Sequence, residues 1–131
     1  VGTTREMRSV IAGLVIPSLS ARQYTWAEKA RLWRGKMHAG VSPLWREMTS
    51  SRIAEMVPSL EIPAYFLHGT HDYTCSYDLA RSFVRALRAP VRGFYSFEDS
   101  AHSPVLEQPA WAKRVFLEDV LRAQTSLADR R

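Results

Sequence analysis

Two short segments of the sequence carry side chains able to move a proton. His68-Gly69-Thr70-His71-Asp72-Tyr73 places a carboxylate shortly after a glycine, and Glu98-Asp99-Ser100-Ala101-His102-Ser103-Pro104 supplies an imidazole. An imidazole can relay protons for a nucleophile when a carboxylate on one ring nitrogen fixes its tautomer and stabilises its cation. Asp72 as acid and His102 as base suit those two tasks. Singly, each has a plainer explanation: an aspartate after glycine commonly bonds its own backbone in a turn, and a lone histidine commonly serves structure. Glu98 and Asp99 are alternative acids, although their place before the histidine suggests exposed surface. His68 and His71 flank Asp72, but no further carboxylate or thiol stands at ligand spacing from them, so they are expected to line a loop and no metal is expected. Cys75 has no base beside it in the sequence, and only folding could supply one.

Asp72 and His102 matter together only if the fold brings their segments to one place. Ile62-Pro63-Ala64-Tyr65-Phe66-Leu67-His68 is an almost unbroken apolar run between Pro58 and Gly69, the pattern of a short strand covered on both faces. Tyr77 to Leu87 reads as an amphipathic helix with Leu79, Phe83 and Leu87 on one stripe. Arg92-Gly93-Phe94-Tyr95-Ser96-Phe97 reads as a second strand, and Pro109 opens a last helix with Trp111, Val115, Phe116 and Leu121 facing inward. This order predicts a right-handed β-α-β-α unit with two parallel strands, which puts both loops at the carboxyl edge of the sheet.

The first 58 residues read as helices. Met7, Val10, Ile11, Leu14 and Val15 recur at three- and four-residue steps until Pro17. Thr25-Trp26-Ala27-Glu28 has the spacing of a capping box, predicting a helix to about Lys36. On it Trp26, Ala30 and Trp33 share a face, Lys29, Arg31 and Arg34 lie largely elsewhere, and Gly35 and Gly40 bracket the end. Ser42-Pro43 looks like an N-cap followed by proline at the first helical position, opening a third helix through Leu44, Trp45 and Met48.

The chain has 131 residues, 46% of them hydrophobic, enough for one modest core. Its longest apolar stretch, Val10 to Ile16, is far below the roughly 20 residues of a membrane helix, so no membrane is expected. The charge of +5, from 18 Lys and Arg against 13 Asp and Glu, is spread singly over helices, which argues against nucleic acid; Arg130-Arg131 reads as a frayed tail. A single Cys75 forms no internal disulfide, which fits a reducing, cytoplasmic setting. The start, Val1-Gly2-Thr3-Thr4-Arg5-Glu6, lacks both an initiating Met and the order of a signal peptide, so the chain is expected to begin inside a longer product.

Ile62-Pro63-Ala64-Tyr65-Phe66-Leu67-His68-Gly69-Thr70-His71-Asp72-Tyr73 and Phe97-Glu98-Asp99-Ser100-Ala101-His102-Ser103-Pro104 resemble the acid and histidine segments of α/β-hydrolases, nearest to the proline iminopeptidase-like branch. The first half, with Tyr24-Thr25-Trp26-Ala27-Glu28-Lys29 and Leu32-Trp33-Arg34-Gly35, is similar to the cap that this branch inserts before its last two strands. The resemblance implies an α/β fold class: a C-terminal fragment of an α/β-hydrolase, with a helical cap segment at residues 1–58 and the C-terminal part of the core at 59–131. It implies hydrolysis of ester or amide bonds in a small-molecule or short-peptide substrate, with Asp72 and His102 catalytic in the family's order of Ser, Asp, His. Trp26, Trp33 and Tyr73 would touch substrate, the Trp residues serving first as cap core, and no cofactor is implied. No Gly-x-Ser-x-Gly elbow occurs; Gly40-Val41-Ser42-Pro43-Leu44 comes nearest and lacks the second Gly. The Gly-rich oxyanion segment is missing too, and Cys75-Ser76 stands where many relatives have a Pro. The nucleophile, Ser or Asp, is therefore expected in a missing N-terminal hydrolase core; an Asp would mean haloalkane or epoxide chemistry. A non-catalytic association or binding module is the alternative. Self-association is expected, because the apolar strand would keep one unpaired edge.

Overall fold

The structure is a computed structural model that describes residues 4–7, 9, 11–39 and 42–130. Val10 in the first apolar face, Gly40 as a helix end, the Gly40-Val41 half of the elbow-like string and Arg131 of the expected tail lie outside the described residues. The fold is mixed α/β. Its sheet has two parallel strands, β1 (Ala64–Gly69) and β2 (Arg92–Phe97), in register from Ala64 opposite Arg92 to Gly69 opposite Phe97. Helix α5 (Tyr77–Ala86) joins the strands, and α6 (Pro104–Glu107), α7 (Pro109–Glu118) and a 3-10 turn (Val120–Arg122) follow. Ahead of the sheet lie a π-helical turn (Ile11–Val15) and helices α1 (Ile16–Ser20), α2 (Trp26–Ala39), α3 (Pro43–Ser50) and α4 (Ile53–Met56).

The strands are covered on both faces, as their apolar runs predict. Alternate side chains sort to opposite sides: buried Tyr95 and Phe97 meet Ala112 and Val115 of α7, with Tyr65 and Leu67 packed against them. Phe66 meets Phe83 of α5 edge-on, and Phe94 meets Tyr77 likewise, with ring centroids 5.8 and 5.4 Å apart. Strand β1 starts two residues later than Ile62, since Pro63 has no N–H to give and the ladder with β2 opens with the Ala64 N–H donating to the Val91 carbonyl at 2.9 Å.

The helix faces depart from the predicted stripes. Leu79 is exposed, while Phe83 and Leu87 of the same expected stripe turn inward together with Ala80 and Val84. In α7 the inward row runs through Trp111, Ala112, Val115 and Asp119, leaving Phe116 exposed; Leu121 lies beyond the helix end and is exposed, Val120 turning inward instead.

The capping box forms as read: the Thr25 N–H donates to the Glu28 carboxylate at 2.8 Å, and the Glu28 N–H to Thr25 Oγ1 at 3.3 Å. The Thr25 N–H and the Thr25 hydroxyl both donate to that carboxylate and hold the Glu28 carboxyl below its ordinary range. Ser42 caps α3 by accepting from the Trp45 N–H at 3.1 Å. Three expectations need correction. Pro17 does not end the first helix; it sits in the opening turn of α1, where a missing N–H costs nothing, behind the π-helical turn. Gly35 lies inside α2, which runs to Ala39. Lys29 is buried on the tryptophan face, its Nζ donating to the Leu19 carbonyl at 2.7 Å and lying 4.5 Å from the Trp26 ring centre. That carbonyl belongs to the last turn of α1, where no N–H of the helix reaches it, so it takes the ammonium, which also lies over the face of the indole. The tryptophans do not build a closed core: Trp26 and Trp45 are exposed, and Trp33 is half-buried with its Nε1–H on Ser18 Oγ.

Candidate active site

The loops after β1 and β2 leave the same end of the sheet because the strands are parallel. They are laced together by backbone. The Thr70 N–H donates to the Phe97 carbonyl at 3.1 Å, Thr70 Oγ1–H to the Glu98 carbonyl at 2.9 Å, and the His71 N–H to the Ser100 carbonyl at 3.0 Å. Gly69 permits this closeness. A Cβ there would collide with the carbonyl oxygens of Ser100 and Ala101, so any other residue would force the loops apart. The second loop is braced from below by Gln108, whose Oε1 accepts from buried Ser100 Oγ at 2.8 Å, and by Glu107, which accepts the Ala101 N–H at 2.8 Å.

This frame delivers His102 to Asp72, with Nδ1 and Oδ2 2.7 Å apart. The other carboxylate oxygen, Oδ1, accepts the N–H groups of Thr74 at 2.7 Å and Cys75 at 3.1 Å, an aspartate turn that closes the loop. Ser76 then caps α5, accepting the Leu79 N–H at 3.3 Å. The Asp72 side chain is 6% exposed and that of His102 41%. Burial pushes the Asp72 carboxyl up, but the hydrogen bond from His102, the N–H groups of Cys75 and Thr74 and the charge of His102 outweigh it, so the group sits below its ordinary range. An ionised carboxylate only accepts, so Nδ1 carries the imidazole proton and Nε2 the lone pair. A histidine held this way can act as a base toward whatever faces Nε2.

Asp72 serves both contacts at once, Oδ1 closing the turn and Oδ2 accepting from His102. Glu98 and Asp99 are exposed, Asp99 pairing with Arg5. His68, on the face of the sheet toward α5, stacks on Phe94 and meets Tyr77 edge-on, and both His68 and His71 are half-buried. Tyr73, beside Asp72, is 82% exposed. Trp26 and Trp33 line an apolar groove with Val15, Leu19, Lys29 and Ala30, which includes neither Asp72 nor His102. Spacing alone missed Cys75. Its Sγ, a carboxylate oxygen of Asp72 and a ring nitrogen of His102 all lie within 4.8 Å of one another. The signal was present as Asp-x-x-Cys, since an aspartate turn carries the third residue back over the carboxylate.

Over 54 residues the chain is 35% identical to the probable aminopeptidase YbaC of Bacillus subtilis (strain 168), a stretch that is 41% of this chain and 17% of that protein. The likeness is to a peptidase. It supports a peptidase or hydrolase relationship and nothing finer. No protein-family model matches the chain, and no solved structure matches it at a significant level. No helix among the described residues is long and apolar enough to cross a membrane.

Proposed function

We propose that the chain is the C-terminal part of a serine-type α/β-hydrolase that cleaves ester or amide bonds of small molecules or short peptides. The observation that carries this reading is the 2.7 Å bond between Asp72 and His102 across two loops at one sheet edge; the partial identity to a probable aminopeptidase supports it. A hydroxyl nucleophile contributed by the preceding hydrolase core gives its proton to His102 Nε2 as its oxygen bonds the substrate carbonyl carbon. Asp72 stabilises the resulting imidazolium. The imidazolium then protonates the leaving amine or alcohol, which leaves an acyl-enzyme for water to hydrolyse by the same relay. Residues 1–58 act as the lid and 59–131 as part of the core. Tyr73 at the mouth of the acid loop and the Trp26 and Trp33 groove supply the substrate contacts. Hydrolysis of a p-nitrophenyl ester by the longer polypeptide, lost on His102→Ala, tests the reading; turnover indifferent to His102 would sink it.

The 131-residue chain alone is expected to be inert toward p-nitrophenyl acetate, since it contains no Gly-x-Ser-x-Gly nucleophile and no family oxyanion segment to begin acylation. A burst of p-nitrophenol from this chain, abolished by a serine-directed inhibitor, would overturn that.

A second expectation concerns assembly, and it bears on the alternative of a non-catalytic association module. The outer edge of β2 is engaged by the chain's own end, the Asp129 N–H donating to the Phe94 carbonyl at 2.9 Å. Among the described residues strand β1 has only β2 beside it, so its other edge offers backbone groups for pairing. In the reading above the preceding core pairs with that edge. The chain by itself is therefore expected to self-associate at micromolar concentration; light scattering that reports a cooperatively folded monomer would refute this.

A further inference from the structure

We propose that Asp72, Cys75 and His102 form a site for a thiophilic divalent cation of the zinc class, and that an ion held there silences the acid–base pair. The silencing rests on the hydrolase reading; the binding rests on the geometry alone. A cysteine sulfur, an imidazole nitrogen and a carboxylate oxygen within 4.8 Å of one another need only small side-chain movements to close on one ion at metal–ligand distances of about 2.0 to 2.3 Å. Two of the three are already held toward each other. Asp72 Oδ1 is fixed by the N–H groups of Thr74 and Cys75, which leaves Oδ2 facing the imidazole and folds residue 75 back over the carboxylate. Cys75 and His102 are exposed, so an ion reaches them without unfolding the loop, while Asp72 is buried behind them. Sulfur and nitrogen donors select zinc or cadmium over magnesium or calcium, which prefer oxygen. Three protein ligands leave a fourth position for water. Binding releases the thiol proton, and the ion competes with the proton relay for the same imidazole and carboxylate.

Cadmium titrated into the 131-residue chain, followed by thiolate-to-cadmium charge-transfer absorption in the ultraviolet, tests the site. The expected result is one saturable transition, competed by zinc and untouched by excess magnesium. Cys75→Ser should abolish the band, and His102→Gln should raise the midpoint by more than about tenfold, the loss that even outer-sphere changes produce. Circular dichroism of both variants, each altered at an exposed position, controls for folding. A wild-type chain with no band, or a midpoint unmoved by His102→Gln because the thiol binds alone, overturns the proposal. In the longer polypeptide, zinc should inhibit ester turnover and a chelator should restore it. Undiminished turnover with zinc bound refutes the silencing, whereas a longer polypeptide with no turnover at all counts against the hydrolase reading and leaves the cadmium result to judge the site.

Discussion

His102→Ala in the longer polypeptide is expected to lower ester turnover by about a millionfold, and Asp72→Asn by about 10,000-fold. The two effects differ because the residues act at different removes from the substrate. Alanine removes the only proton acceptor in the relay. Asparagine at 72 can keep an oxygen on the Thr74 and Cys75 amides, so the loop survives, but it turns an N–H toward Nδ1. That reverses the tautomer and puts the proton on Nε2, where the lone pair is needed. The double variant should be about as slow as His102→Ala alone, since a relay without its base gains nothing from a correct acid. The pair also has a predictable acid limit. The Asp72 carboxyl is depressed in the folded chain, so the bond persists above the ordinary carboxylate value of about 3.9 and is lost as pH falls through the lowered one. Steady-state kcat for a p-nitrophenyl ester measures all of this. A loss below about tenfold for either single variant would remove that residue from the mechanism.

Asp119→Ala is expected to destabilise the fold by about 3–5 kcal/mol, because removing the buried acceptor strands several neutral donors at about 1–3 kcal/mol for each that water cannot reach. Asp119 is fully buried at the end of α7. Its Oδ2 accepts the Tyr95 hydroxyl at 2.8 Å and the Leu127 N–H at 2.9 Å; its Oδ1 accepts the Ser126 N–H at 3.0 Å and hydroxyl at 2.6 Å. Ala123 takes a left-handed conformation, φ 50°, and the chain turns there so that Ser126 and Leu127 return over the carboxylate. The alanine variant leaves the buried Tyr95 hydroxyl and the half-buried Leu127 N–H without that acceptor, while the exposed Ser126 can turn to water. Against a typical total of about 5–15 kcal/mol the loss leaves little margin, and the midpoint of urea unfolding should fall accordingly. Burial raises the Asp119 carboxyl, but the Ser126 hydroxyl, the Leu127 N–H, the Tyr95 hydroxyl and the Ser126 N–H together hold it low. Burial and the same carboxylate push the Tyr95 hydroxyl up. Since the folded value of Asp119 is depressed, its contribution is complete above the unfolded carboxylate pKa and is lost as pH falls through the folded one. An unfolding midpoint changed by less than the equivalent of about 1 kcal/mol would show that water replaces the lost acceptor.

Much of this protein could be read from the chain alone, where the signal is local. The Thr25 to Glu28 capping box, the Ser42 cap before Pro43 and the span of β2 depend on residues within four positions of one another or on an unbroken apolar run. The pairing of Asp72 with His102 was legible for a related reason: each follows its strand closely, and parallel strands send their following loops to the same edge. What the sequence could not decide was which stripe of a helix faces the sheet. Leu79 and Phe116 are as apolar as the residues that are buried, and only the docking of α5 and α7 chose Val84 and Ala112 in their place. Nor could spacing reveal Asp119 as the centre of a buried network, because its partners come from β2 and from a turn after the helix. Burial of Lys29 is similar: a cation goes inside only when a free carbonyl and an aromatic face are already there, and Leu19 supplies that carbonyl from a different helix. Charged groups are placed by partners distant in the chain, so their fate belongs to the tertiary structure, whereas caps and strands are settled by their neighbours.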